Sequence, residues 1–251
     1  MPSAMFTANA LFLGTLVAVA GLFVYGMAQA GRTLGEPTAH TGRWRIGAAS
    51  GLALWLALSG LLAASGLLRD FSRVPPPMLL LATAAGLITL ALAASPVGTR
   101  LSSGLSVAAL VGFQAFRLPL ELGLDQLYHA GAIPVQMTIE GRNFDMLSGI
   151  SALPVAWLAA RKRLPTWGLL LWNLLGLGLL LNIVVIALLS TPVPFRAFFN
   201  EPANTIISEL PFVWLPTVLV QAALLGHLLV FRRLLQELRR RTPADRSLTA
   251  A

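Results

Sequence analysis

Apolar and polar positions alternate along this chain on the scale of a lipid bilayer rather than on that of a soluble core. About 20 consecutive apolar residues suffice for a helix to cross the hydrocarbon region. Seven stretches read that way: residues 10–28, 46–68, 78–94, 104–128, 144–160, 167–189 and 211–231. The first mimics a signal peptide at Ala28-Gln29-Ala30, but it lacks a basic start and is longer than a typical signal core, so it reads as a span. Gly47, Gly51, Ser59, Gly60 and Gly66 give the second small residues for close helix contact. Arg69, Asp70, Arg73 and the run Pro75-Pro76-Pro77 form a stiff connection, since proline fixes φ and removes a donor. Ser95-Pro96 ends the third span, and Arg100 is expected in the short loop that follows. The expected fold is therefore an all-α bundle of seven transmembrane helices in a single membrane domain, residues 1–251, with a short basic tail from about 232 onward.

Composition agrees and adds a direction. With 56% hydrophobic residues, 11% charged and a mean hydropathy of +0.76, the chain is a polytopic membrane protein. Its net charge of +8 comes from arginines clustered beside the apolar runs, which is an orientation signal and not a nucleic-acid face. Thirteen Arg and Lys fall on the side of the C-terminus and four on the other, Arg69, Arg73, Arg142 and Arg196. That bias predicts N-out, C-in, with a cytoplasmic tail. An odd number of spans and no visible repeat weaken a paired-repeat transporter. Without cysteine there is no disulfide or thiolate chemistry. No HExxH, GxSxG or phosphate-loop pattern stands out, and no metal or cofactor is expected. The one lysine, Lys162, lies between spans, which excludes a buried Schiff base.

The fourth span carries the chemistry. Gln114, Arg117, Glu121 and Asp125 recur at spacings of three, four and four, one face of a helix. A charge at the bilayer centre costs roughly 2.5 to 3.5 kcal/mol on insertion scales, so such residues face a partner or water. Arg117 and Glu121 are expected to pair, with Pro119 kinking the helix between them. His129 ends the span. Downstream, Glu140-Gly141-Arg142-Asn143-Phe144-Asp145 is the densest polar hexamer. Asn143 suits a helix N-cap and Asp145 a first turn, which leaves Glu140 and Arg142 without a structural reason. Ile133, Val135, Met137 and Ile139 alternate with Gln136, Thr138 and Glu140, as though one side of an extended segment were buried against the stripe. Arg117, Glu121, Asp125, Glu140, Arg142, Asn143 and Asp145 thus form the expected polar site. Gln114, His129, Asn182, Glu201 and Asn204 flank it in a slightly acidic, outward-facing chamber. Asn173 reads as interhelical glue, Trp214 as an interfacial anchor, and His227 as a residue near the inner end of the last span.

Three of these segments, F-R-x-P-x-E-L at residues 116–122, M-T-I-E-G-R-N-F-D at residues 137–145 and P-F-V-W-L-P at residues 211–216, resemble a group of uncharacterised bacterial multi-spanning membrane proteins. The likeness covers roughly the second half of the chain. It implies a bacterial inner membrane and transfers no mechanism. From the residues alone, the leading expectation is a protein that binds or passes a small polar or ionic solute, with the bilayer as its other partner. The alternatives are a membrane-embedded enzyme acting on a lipid or lipid-linked substrate through a carboxylate base, and an assembly or sensory scaffold without site chemistry.

Overall fold

A computed structural model of the chain describes the backbone of residues 2–248 and the side chains of residues 3–238. Among these the fold is all α, with no strand. The helices are α1 (Pro2–Thr33), α2 (Thr38–Ala64), α3 (Pro77–Ala94), α4 (Pro96–Gly104), α5 (Val107–Phe113), α6 (Arg117–His129), α7 (Met146–Ala160), α8 (Thr166–Leu189) and α9 (Val220–Leu248). Six stretches are long and apolar enough to cross a membrane: Ser3–Thr33, Thr38–Ala64, Pro77–Ala94, Val107–His129, Thr166–Leu189 and Leu215–Leu238. The expected fifth span corresponds to the shorter α7, 15 residues with Pro154 inside it. At 1.5 Å per residue that is about 22 Å, less than the ~30 Å hydrocarbon core.

Several boundaries differ from the expected ones for identifiable reasons. Helix α2 begins eight residues before the apolar run, so Arg43 and Arg45 ride on its first turns instead of lying in a loop. Arg100 is likewise helical. Ser95 caps α4 through its hydroxyl, which accepts the Val97 N–H at 3.1 Å, and Pro96 takes the first position, where its missing N–H costs nothing. The fourth span is two helices. Pro119 has no N–H to offer Ala115 and its ring crowds that carbonyl; one turn earlier, Gln114–Phe116 tightens into a 3-10 turn between α5 and α6. The last span opens on a π turn, Leu215–Leu219. Trp214 is a helix contact rather than a headgroup anchor: its indole N–H donates to the Leu56 carbonyl at 3.2 Å, and Trp55 returns a bond to Thr217 O at 3.0 Å.

Helix α1 packs against α2, α4 and α6; α9 packs against α3, α5 and α8; and α5 and α7 lie side by side. The broken fourth span is therefore surrounded. Two apolar clusters fill the interior. One gathers Phe12, Leu120, Leu124, Ile133, Leu180, Ile183 and Phe212, the other Met27, Leu101, Val111, Leu169, Leu229 and Val230. Buried among these apolar residues on α6, α8 and α9, and on the turn before α6, are polar ones: Arg117, Asn173, His227 and Gln114.

The expected extended segment at 133–140 is instead a 3-10 turn, Val135–Met137. Ile133 and Met137 are buried, but so are Gln136 and Thr138, while Ile139 is exposed, so the alternation does not survive. Gln136 is held by donating to Ser190 Oγ at 2.9 Å. Arg239, Arg240, Arg241 and Arg246, the charges of the expected tail, lie outside the described side chains.

Candidate functional site

Arg117 opens α6 with its side chain turned into the bundle, 1% exposed. A guanidinium presents five donors in a rigid fork and accepts nothing, so burying it requires acceptors in matching positions. Three segments supply them: the entry to α7, α8 and α9. Asp145, immediately before α7, takes the fork bidentately, with Nε at 2.6 Å from Oδ2 and Nη2 on Oδ1. Nη1 reaches the Gly176 carbonyl of α8 at 3.4 Å and Nε2 of His227 on α9 at 3.0 Å.

The histidine's tautomer follows from its partners. Arg117 only donates, so Nε2 accepts, and the ring proton sits on Nδ1, 2.9 Å from Asn173 Oδ1. Asn173 closes the ring by donating from Nδ2 to the His227 carbonyl at 3.0 Å. Gly176 makes this possible: a Cβ there would lie 2.7 Å from His227 Cε1. Gly149 of α7 does the same for the backbone of Arg117 and Leu118, where a Cβ would meet Leu118 N at 2.7 Å.

Glu121, expected to pair with Arg117, makes no ion pair with it. It is buried one turn further along and accepts from Asn143 Nδ2. The same Nδ2 holds Met137 O at 3.1 Å, while Asn143 Oδ1 accepts the Asp145 N–H at 3.0 Å and so shapes the entry to α7. The hexamer thus folds against the stripe through Asn143 and Asp145. The buried layer consists of Gln114, Arg117, Glu121, Asn143, Asp145, Asn173 and His227, all bonded. Gln114 Oε1 and Ser148 Oγ are the buried atoms beside it that lack a partner.

Other expected members lie elsewhere. Arg142 is exposed, its guanidinium 5.3 Å from the Phe198 ring, and its carbonyl accepts from Asn182 at 2.9 Å. Glu201 pairs with Arg196 at 3.0 Å in the connection ahead of α9, and Asn204 donates to Ala187 O at 3.1 Å. Neither touches the layer. Asp125, His129 and Glu140 gather at the end of α6, with His129 Nε2 3.5 Å from Asp125 Oδ2.

Sequence reading passed over two features at the arginine-rich end. Arg100 is buried and grips Glu36 with one guanidinium nitrogen, with its Nε on Met27 O at 3.3 Å and its face 5.3 Å from the Trp44 ring. Accepting from Arg100, and also bonding His40, holds the Glu36 carboxyl below its ordinary range. Arg232 reaches Ala93 O and Thr99, and Arg233 reaches Ser102 O at 3.3 Å, so charges that seemed to end the last span fold back onto α3 and α4.

The second feature is a cavity of about 1410 Å³ bounded by α1, α2, α3, α4, α5 and α9. Its walls are apolar along Val19, Phe23, Leu52, Ala85, Leu105 and Leu225. Gln29, Thr33, His40 and Arg43 stand at one end. No Asp or Glu lines it, and neither does any residue of the Arg117 and Asp145 pair.

No curated protein and no solved structure matches the chain. Residues 74–235, from the connection before α3 into α9, match the family model described as Domain of unknown function (DUF8737), and both the 137–145 and 211–216 segments fall inside that span. With well over half its length matched, the chain belongs to the DUF8737 family.

Proposed function

We propose that this protein is a seven-span protein of the bacterial inner membrane, N-terminus out and C-terminus in, that holds an anionic lipid in the cavity between α1, α2, α3, α5 and α9. The observation that carries the reading is the cavity's polarity: a long apolar interior lined by no carboxylate, with Arg43 and His40 at its mouth. At about 1410 Å³ it exceeds the roughly 300 to 1,000 Å³ of sites for drug-sized ligands and suits acyl or prenyl chains. Arg43 makes no ion pair among the described residues and is free to meet a phosphate or carboxylate headgroup. Glu36, which bonds His40 at that mouth, is itself gripped by Arg100, so the charge of Arg43 is left for a headgroup.

The seventh span in this reading is α7. Leu147, Ile150, Leu153 and Trp157 recur on one face and are all about half exposed, an apolar stripe suited to lipid. Arg161 and Arg163 stack on Trp157 at 4.9 and 5.6 Å, as expected where a helix leaves the bilayer. Its polar start is satisfied by Arg117 and Asn143, which lets 15 residues serve.

The buried layer acts in this account as the clasp that sets the helices around the cavity. A carboxylate-driven enzyme finds no acid at the cavity wall. Passage of a small polar or ionic solute is the second reading, favoured by the unpartnered Gln114 Oε1 and Ser148 Oγ beside Arg117.

Native mass spectrometry of the full chain released gently from membranes tests the lipid reading. Wild type is expected to retain an anionic lipid. Gly51→Trp, placed where nothing lies within 4 Å of a Cβ, and Ala48→Trp are expected to lose it by filling the cavity, and Arg43→Glu to shift retention away from anionic species. Wild-type retention in both tryptophan variants would overturn the reading.

A further inference from the structure

We propose that Asp125, His129 and Glu140 form a binding site for a divalent transition-metal ion at the end of the bundle opposite the arginine-rich one. Asp125 and His129 are one turn apart on the last two turns of α6, so their side chains share a face. Glu140 comes from the connection eleven residues beyond His129. One ligand atom from each, two carboxylate oxygens and an imidazole nitrogen, lies within 4.8 Å of both others. Donors bound at about 2.0 to 2.2 Å to a common tetrahedral ion lie roughly 3.3 to 3.6 Å apart; His129 and Asp125 already stand at 3.5 Å, and any wider separation in the trio, up to 4.8 Å, would close by side-chain rotation.

Two features make this more than an acidic surface. First, the two carboxylates converge without an arginine or lysine. The one nearby cation of the connection, Arg142, is turned away onto Phe198, and among the described residues Asp125 Oδ2 meets the His129 imidazole at 3.5 Å and accepts from the Gln126 amide at 3.4 Å. Second, Glu140 is held in place by bonds that do not involve the three ligands. Gly141 N–H donates to Thr138 O at 3.0 Å, Asn143 N–H to the same carbonyl at 3.1 Å, and Arg142 N–H to Gln136 O at 3.3 Å. Residue 141 must be glycine there, because a Cβ would collide with the Val135 and Gln136 backbone. The third ligand is therefore delivered to the helix end by a fixed turn.

The donor set selects the metal. One imidazole with two carboxylates suits zinc, cobalt or manganese, whereas calcium and magnesium prefer shells made wholly of oxygen. Three protein ligands at an exposed position leave coordination positions for water or a ligand. A bound ion would tie the end of α6 to the connection that delivers Asn143 and Asp145 to the buried layer, and so stabilise the folded protein by mass action. The site is independent of the lipid cavity at the other end.

The test uses full-length protein in micelles, stripped with chelator and titrated with Co²⁺, whose visible absorption reports nitrogen and oxygen ligation. The expected result is a saturable signal at one ion per chain, displaced by Zn²⁺ and not by Mg²⁺ or Ca²⁺. His129→Ala, Asp125→Asn and Glu140→Gln are each expected to weaken it by more than about tenfold, the scale seen for disturbing even outer-shell partners. Glu209→Gln, which removes a different exposed carboxylate, should leave it unchanged. Circular dichroism of each variant separates lost binding from lost fold. No saturable signal in wild type, retention of the signal in the three ligand variants, or equal displacement by Ca²⁺ would each overturn the proposal.

Discussion

Gly176 of α8 and His227 of α9 touch so closely that the helix backbone at 176 forms one wall of the imidazole's seat, with a Cβ there calculated to fall 2.7 Å from Cε1. The ring cannot retreat, because Asn173 holds Nδ1 and Arg117 holds Nε2. Gly176→Ala should therefore cost about 1 to 3 kcal/mol, the usual range for overpacking. Thermal unfolding in micelles checks this, and the same substitution in a His227→Ala background should cost markedly less, since the crowded atom is gone.

Arg117 and Asp145 should prove mutually dependent. Leaving one member of a buried pair alone typically costs about 3 to 5 kcal/mol. Arg117→Leu or Asp145→Leu alone is thus expected to lower folded yield more than the two together. A double change of Arg117 and Glu121 should give no such recovery, because Glu121 is bonded to Asn143. Folded fraction by size-exclusion chromatography, compared across the four variants, separates the two pairings.

The Glu36 and Arg100 contact predicts a pH window. The carboxyl of Glu36 is depressed below its ordinary value of 4.5, chiefly by the bond from Arg100. A depressed carboxyl binds fewer protons folded than unfolded, so its contribution is whole above about 4.5 and is lost as pH falls through the lower folded value. Wild type should exceed Glu36→Gln in melting temperature by a constant margin from neutral pH down to about 4.5. Below that the margin should shrink and vanish. A margin that persists into strong acid would show that the pair does not contribute through charge.

Topology is open to direct labelling because the chain has no cysteine of its own. Single cysteines at Gly35 and Lys162 should resist a membrane-impermeant maleimide in intact cells, while those at Ser72, Gly131 and Asn200 should react. Reaction at Lys162 together with protection at Gly35 would place both ends of α7 on one side and reduce the spans to six.

Much of this arrangement was legible in the sequence, and the parts that were not share a cause. The stripe on the fourth span is legible because helix periodicity is local, and so is a helix start near Asn143. Helix α7 nevertheless begins at Met146 with Asp145 in the cap position, two residues later than the expected cap, because Arg117 takes the Asp145 carboxylate. Partners are a different matter. Arg117 had an acid four residues on, which made Glu121 the obvious mate; the choice of Asp145 depends on how α7 crosses α6, and that crossing is set by Gly149 in another helix. His227 looked peripheral because Arg232 and Arg233 seemed to close the last span. Both arginines in fact bond back to α3 and α4, so the helix continues and the histidine lies inside. The Arg100 contact with Glu36 is not legible in the sequence, since nothing near either residue reports that α4 packs against α1. The convergence of His129 with Glu140 likewise requires the turn at Val135–Met137.

The spread of Arg117's partners over the entry to α7, α8 and α9 has a consequence for how the protein is made. Membrane proteins are built from the N-terminus, so the guanidinium at residue 117 enters the bilayer region before Asp145, Gly176 and His227 have been synthesised. Until the last of them arrives, the arginine must keep water, lipid headgroups or the insertion machinery as its company. The bundle therefore cannot settle helix by helix. Its fourth span is held unfinished until more than a hundred further residues have emerged, and a chain cut short before His227 would keep the Asp145 pair but leave Nη1 of Arg117 without the imidazole that completes its shell.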